Sequence, residues 1–376
     1  MRPRDVLLIV VAAMLALGVV AVQSAGMVVP RSAPFWELLA SRTTILGIIA
    51  LAAFVVARAI PPSWSTSQWV STGSIVAAAT LLVLVFVPGI GREVNGARRW
   101  IDIGPLGFQP SEIAKWACVL FIAAWAGRQG GTLGKFWKGL SPPLLVVGIL
   151  CGLILLEDLG TALLIGSVAA LLLLAAGAKL WHLVVLGVPS LGVIIAAVVS
   201  TPYRLTRLQS FLDPWADPAG DGYHVVQSMT ALAGGGIGGR GLGNGVQKFG
   251  YLPEDTTDFI FSVISEEFGV LGGLVIVCLL LMLAWTAWSI IKAQTNPQRQ
   301  LLAMGIAITV IAQAMMNLMV VTAMAPTKGI ALPLISSGGT GWIMTAFMLG
   351  LLAGLDRQPI RIDHAATEPV GTRSVA

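Results

Sequence analysis

Long apolar runs, each about the length of a bilayer crossing, recur along the whole chain. They lie near residues 6–26, 38–60, 69–88, 110–126, 142–156, 159–178, 180–200, 259–291, 301–323 and 334–355. A membrane-spanning helix needs roughly 20 apolar residues, so the pattern predicts an all-α polytopic membrane protein with about ten transmembrane helices. Composition agrees. Hydrophobic residues make up 56% of the 376, charged residues only 11%, and mean hydropathy is +0.86, whereas a soluble domain carries about a quarter charged residues. The stretches 142–156 and 159–178 are separated only by "EDLG", so at least one of them is expected to be broken or tilted.

Arg2 and Arg4 precede the first stretch. Its apolar length exceeds that of a signal-peptide core and further spans follow, so an uncleaved first helix is expected. Cys118, Cys151 and Cys278 fall inside spans without metal-like spacing and read as small core residues. His182, His224 and His364 form no paired motif, so no zinc site is expected. Basic residues of the short loops, among them Arg58, Arg128, Lys135, Lys138, Lys179, Lys292 and Arg299, set a cytoplasmic N-terminus. An even helix count returns the C-terminus to that side. It also puts the large loop 201–258, between the seventh and eighth spans, outside. The polar stretch 356–376 reads as a disordered cytoplasmic tail.

Polar residues gather in four places on the expected outer side. In "NGARRWIDIGPLGFQPSEIAK" (95–115), Asn95-Gly96 signals a turn, and Arg98, Arg99 and Trp100 follow. Trp100 reads as a site residue or as an interfacial anchor. Pro110 suits a first helical position, with Gln109 as the cap. Glu112 and Lys115 share a helix face. A pair at the start of a membrane helix should face protein or a wet cavity, either as a structural salt bridge or as a substrate contact. In "LLEDLGTALL" (155–164), Glu157 and Asp158 are intramembrane acids and so functional candidates, with a polar surface loop as the alternative.

The third place is the loop 201–258. Its glycine run lacks the Lys of a phosphate-binding loop and any βαβ context, which excludes a nucleotide-binding reading. Its glycines let the loop fold closely over the helices or let backbone N–H groups approach an anion. The loop ends in "YLPEDTTDFIF", where Glu254, Asp255 and Asp258 precede a helix expected from near Phe259. Asp255 reads as a solvated loop acid there. The fourth place, "APTKGIALPLISSGGTG" (325–341), carries Lys328 and Ser336 between and beyond two prolines. It reads as a broken segment lining a cavity or as a plain outer loop. Cations and carboxylates on one membrane face suit a phosphate-bearing headgroup and proton abstraction from a hydroxyl. The residues alone point to a membrane enzyme or carrier acting on a phosphorylated lipid.

Taken in order, these motifs, with "EDLGTAL", "FLDPWADPAGDGYHVVQS" and "GGGIGGRGLGNGVQKFGYLPEDTTDFIFSVISEEFGVLGG", resemble the SEDS family, whose members include FtsW, RodA and SpoVE. The resemblance implies a ten-helix membrane domain over residues 1–355 and peptidoglycan glycosyltransferase activity. Family members polymerise lipid II, the undecaprenyl-pyrophosphoryl disaccharide-pentapeptide. They work with a class B penicillin-binding protein, a transpeptidase, in the division or elongation machinery. The family's essential aspartate falls on Asp258, its paired Glu and Lys on Glu112 and Lys115, and its motif tryptophan on Trp100. Arg99, Gln109, Asp158, Glu254, Lys328 and Ser336 complete the expected substrate-binding set. "PTKGIALPLIS" is more like the FtsW branch than the RodA branch. Asp255-Thr256 departs from a common Ala-His pair, Ser337 from a common tyrosine, and Met324 from a common glycine.

In an inverting transfer that makes a β-1,4 bond, Asp258 would deprotonate the acceptor 4-hydroxyl. Basic groups or a divalent cation such as Mg²⁺ or Mn²⁺ would stabilise the departing pyrophosphate. Asp258 alternatively positions a metal, orients the hydroxyl, or only caps its helix. The competing class is a lipid II flippase, which predicts polar residues through the full membrane depth. A scaffold would need no such acids near the bilayer boundary. The expected setting is the bacterial inner membrane with the site facing outward, with membrane lipid and no nucleic acid among the partners.

Overall fold

The computed structural model describes residues 1–26, 37, 39–94, 97–103, 106–129 and 132–356. The tail from 357 onward, with His364, and the Asn95-Gly96 turn lie outside the described residues. In chain order the longer helices among the described residues are α1 (Pro3–Ala25), α2 (Arg42–Ala59), α3 (Gln68–Leu84), α4 (Pro110–Ala126), α5 (Ser141–Leu155), α6 (Leu159–Ala175), α7 (Leu180–Val199), α8 (Pro202–Leu212), α9 (Tyr223–Gly235), α10 (Ile260–Lys292), α11 (Pro297–Val321) and α12 (Gly339–Leu355). Each of the ten apolar stretches falls on one of them, and α8 and α9 are extra helices inside the long loop. Six segments are long and apolar enough to cross a membrane on their own, α5 among them once the turn from Phe136 is included. The helices α3, α4, α6 and α12 have 17 residues each. At 1.5 Å per residue they extend about 25 Å, most of a hydrocarbon core of about 30 Å.

Local chemistry sets the helix ends. Pro3, Pro110, Pro202 and Pro297 open their helices, where the missing N–H is not needed. Asn296 caps α11 by accepting from the N–H groups of Gln298 and Arg299, and Ser41 caps α2 by accepting from Thr44. The stretch 142–178 is two helices, broken at Glu157-Asp158. No residue of α7 is buried, which leaves it at the rim of the bundle, while α4, α11 and α12 are buried along most of their length.

Two features depart from the expected all-helical pattern. Residues 91–108 form a small antiparallel sheet of β1 (Gly91–Val94), β2 (Ala97–Ile103) and β3 (Leu106–Phe108) in that order. Arg92 pairs with Trp100, and Ile101 with Phe108. An Asn-Gly pair between such segments is a hairpin signal, which the turn reading caught only in part. The last helix starts at Gly339 rather than near Leu334, because 325–338 takes no regular structure. It is nonetheless buried at Ile330, Leu332, Leu334, Ile335 and Ser336. Irregular backbone at membrane depth is tolerated only where protein satisfies its polar groups.

Helix α10 is bent at Gly269, whose φ of 68° and ψ of −163° belong to a region that only glycine enters cheaply. A Cβ there would also collide with the Ile237 carbonyl and the Gly239 nitrogen. The bend frees main-chain groups that the glycine-rich loop takes up. Arg240 and Gly241 donate to the carbonyls of Glu266 and Glu267 at 3.0 and 2.9 Å, and Val270 donates to the Gly236 carbonyl at 2.9 Å. Of the two readings of the glycines, the close folding over a helix is what the structure shows, and the N–H groups of Val246 and Gln247 in the same loop donate to the Glu266 carboxylate at 3.0 and 3.1 Å.

Candidate active site

The motifs meet at the irregular segment 325–338. Its Thr327 carbonyl accepts from Arg207 Nη1 at 3.2 Å, Ile330 from Asn317 Nδ2 at 2.8 Å, and Ala331 from Gln313 Nε2 at 2.9 Å. The same Asn317 amide donates to the Asp258 carbonyl at 2.7 Å, and Ser337 N–H donates to the Thr256 carbonyl at 2.8 Å. The entry to α10 and this segment are thereby joined.

Gly329, which is exposed, marks the centre. A Cβ built on it would stand 3.5 Å from Asp258 Oδ2 and 3.7 Å from Arg99 Nη1. Phe259 holds the N-cap position of α10 and no side chain caps that helix, so Asp258 is not its cap. Burial pushes the Asp258 carboxyl up to about 7. Glu254 and Asp158 push the same way, and Arg207 and Arg99 pull back. A carboxyl poised near neutrality is both ionised and basic enough to take a proton. Arg99 Nε is buried and has no hydrogen-bond partner among the described residues.

Lys328 is half-buried, and burial holds it below the ordinary lysine range against the opposing charge of Asp158. Asp158 is 5% exposed and caps α6. Its Oδ1 accepts from Thr161 N–H at 3.0 Å and its Oδ2 from the Thr161 hydroxyl at 2.8 Å. It therefore acts on Asp258 and Lys328 through its charge.

Lys115 and Glu112 form an ion pair in the interior. Lys115 Nζ lies 2.9 and 2.8 Å from the two Glu112 oxygens and 2.7 Å from Gln313 Oε1, and its side chain is 1% exposed. An ammonium has three donors, and all are engaged. Because Gln313 passes the contact on to Ala331, the pair braces 325–338 from beneath.

The other expected residues sit around this centre. Trp100 lies in β2, its ring 3.4 Å from where a Gly107 Cβ would stand. Gln109 holds the N-cap position of α4 but makes no side-chain cap. Instead its N–H donates to Thr340 Oγ1 at 3.4 Å, tying the sheet to α12. Glu254 has φ 56° and accepts from the Thr257 hydroxyl at 2.8 Å, so it shapes the turn ahead of Asp258. Ser336 is buried, and its hydroxyl accepts the Leu332 N–H at 2.7 Å, closing the turn. Asp255 is not a solvated loop acid: it is half-buried, and burial raises it to about 6.

Sequence reasoning missed Asn317 and Gln313. The available signal was two amides four residues apart, on one face of an otherwise apolar helix. It also missed Glu266 and Glu267, each 1% exposed. Glu267 is held by Lys248 Nζ at 2.9 Å and by Ser24 Oγ at 2.8 Å.

Residues 4–360 match the family model of FtsW, RodA and SpoVE, described as cell cycle protein. The chain belongs to the FtsW/RodA/SpoVE family. The probable peptidoglycan glycosyltransferase FtsW of Coxiella burnetii is 39% identical over 346 residues, covering 90% of this chain and 92% of that one. Stage V sporulation protein E of Bacillus subtilis is 37% identical over 295 residues, 78% of this chain and 80% of that one. Among solved structures, Thermus thermophilus RodA aligns with a TM-score of 0.66 at 28% identity, over 93% of this chain and 95% of that chain. A chain from a peptidoglycan synthase complex that coordinates polymerization and crosslinking gives 0.74 at 29% identity, over 93% and 96%. This FtsW/RodA/SpoVE member is thus a multi-pass, all-helical membrane protein apart from its small sheet.

Proposed function

We propose that the chain is a peptidoglycan glycosyltransferase that polymerises lipid II at the outer face of the inner membrane. The observation that carries this reading is the Asp258 carboxyl, poised near neutrality and separated from the Arg99 guanidinium only by the space above Gly329. Asp258 takes the proton of the acceptor 4-hydroxyl as that oxygen attacks the donor's anomeric carbon. The lipid pyrophosphate leaves from the opposite side as the anomeric C–O bond breaks, so an α-linked donor yields a β-1,4 bond. Arg99 and Lys328 meet the negative charge that develops on the departing group.

Among the described residues no three His, Cys, Asp or Glu side chains come together as a metal cage. A divalent cation would be held by Asp258 together with the substrate's own phosphates, where it would supply further charge neutralisation. Buried charged side chains favour an enzyme over a flippase. Lys115, Asp158, Lys248, Glu266 and Glu267 belong to helix ends and loops on the Asp258 side, not to a path across the bilayer. The likeness to a synthase-complex chain supports a crosslinking partner, a class B penicillin-binding protein.

Polymerisation of labelled lipid II by the purified protein, with and without that transpeptidase, tests the activity. Absence of glycan strands in both arms would refute it. A reporter fused after Asp221 is expected to read as outside, and a cytoplasmic signal would put the site on the wrong face. Gly329→Ala places a methyl in ordinary contact with both Asp258 and Arg99. The expected result is a folded protein of near-normal thermal stability with polymerisation down by roughly 10²-fold, because the methyl occupies space the substrate would enter and a displacement of the substrate by about 1 Å costs that much.

A further inference from the structure

The membrane face opposite Asp258 holds a second cavity, about 260 Å³ in volume, between the start of α3 and the end of α4. Gln68, Thr72, Arg128 and Gln129 give it polar walls, Phe121 and Trp125 give apolar ones, and among the described residues no acidic side chain lines it. The cavity is built rather than incidental. Arg128 Nη1 donates to Gln68 Oε1 at 2.7 Å and Nη2 to the Thr66 carbonyl at 3.2 Å. These two bonds fix the guanidinium fork and leave the rest of its five N–H donors for a ligand. Gln129 Oε1 accepts from the Thr132 hydroxyl at 2.6 Å, so its amide nitrogen stays available as a donor. Trp125 is pinned by its Nε1 donating to the Gly139 carbonyl at 2.9 Å.

The surroundings set the depth. Trp64, Trp69, Trp137 and Trp181 are exposed at the helix ends of this same face, as side chains at headgroup level are. Lys135, Lys138 and Lys179 lie in the neighbouring loops. The volume falls just below the roughly 300–1,000 Å³ of small-molecule pockets, a size that suits a single headgroup. A basic recess between membrane helices at this level is the chemistry that holds a lipid phosphate.

We propose that this cavity binds the phosphate of an anionic phospholipid, at a site separate from the Asp258 centre and independent of the activity proposed for it. Native mass spectrometry of the full chain, released from micelles containing phosphatidylglycerol or phosphatidylcholine, tests the site. The wild-type protein is expected to retain phosphatidylglycerol in preference, and Arg128→Ala to weaken that retention roughly fivefold or more. Gln129→Glu gives the same loss in a chain whose fold is undisturbed, since a carboxylate still accepts from Thr132 while repelling a phosphate. Equal retention by all three proteins would overturn the proposal. So would displacement of the lipid by an equal concentration of inorganic phosphate, which would make this a site for a soluble anion.

Discussion

Asp258→Asn is expected to give a folded, membrane-inserted protein that still binds its transpeptidase and no longer polymerises lipid II. Asparagine keeps the size of the side chain and leaves the main-chain bond to Asn317 in place, but it cannot accept the proton. A positioned base contributes roughly 10²–10⁴-fold, so turnover should fall by that much. In the wild type, polymerisation at limiting substrate should rise with pH through about 7 as the carboxyl ionises. Stability moves the other way. The folded state binds this proton more tightly than an unfolded chain does, so the carboxyl withdraws stability as pH climbs from the ordinary carboxylate range to about 7. At neutral pH the asparagine variant should therefore melt no lower than the wild type. Near-normal polymerisation by Asp258→Asn would end the assignment of Asp258 as the base. A variant that is inactive but also unfolded would be answered by Gly329→Ala, which fills the same space while leaving the carboxyl chemically unchanged.

Lys115→Ala should act through stability. Removing one partner of a buried ion pair leaves the other charge uncompensated, at about 3–5 kcal/mol, and Glu112 is only 13% exposed. The expected result is lower yield and a lower melting temperature together with lost activity, because Gln313 loses its partner and 325–338 loses its brace. Adding Glu112→Gln to that variant removes the stranded charge and should recover part of the melting temperature. A Lys115→Ala protein that is inactive yet as stable as the wild type would show instead that Lys115 contacts substrate.

Apolar length alone discloses the helices on which the ten apolar stretches fall, since a bilayer imposes its thickness on the sequence. Motif order discloses Asp258 and the Glu112–Lys115 pair. Other features depend on tertiary contacts that no local pattern carries. The stretch 330–336 is apolar enough to pass for the start of a helix. It stays irregular because amides on α11 take up the carbonyls of Ile330 and Ala331, and Arg207 on α8 takes up that of Thr327 just before it. The sheet is hidden by its short strands, the last of them only three residues long. Glu266 and Glu267 sit inside an apolar run, and their partners are distant. Ser24 lies 243 positions from Glu267, and the cations Arg240 and Lys248 lie in the glycine loop.

The bend at Gly269 gives Asp258 an unusual mounting. The stretch from Ile260 to Phe268, which carries Asp258 at its head, does not continue as one rod into the lipid-facing part of α10. It is clamped at its rear by main-chain bonds from Arg240 and Gly241 and by the ion pairs to Glu266 and Glu267. The Asp258 end of α10 is therefore held from two sides, by the glycine loop behind it and by Asn317 and Ser337 in front, and its aim does not depend on the remainder of α10 beyond the bend.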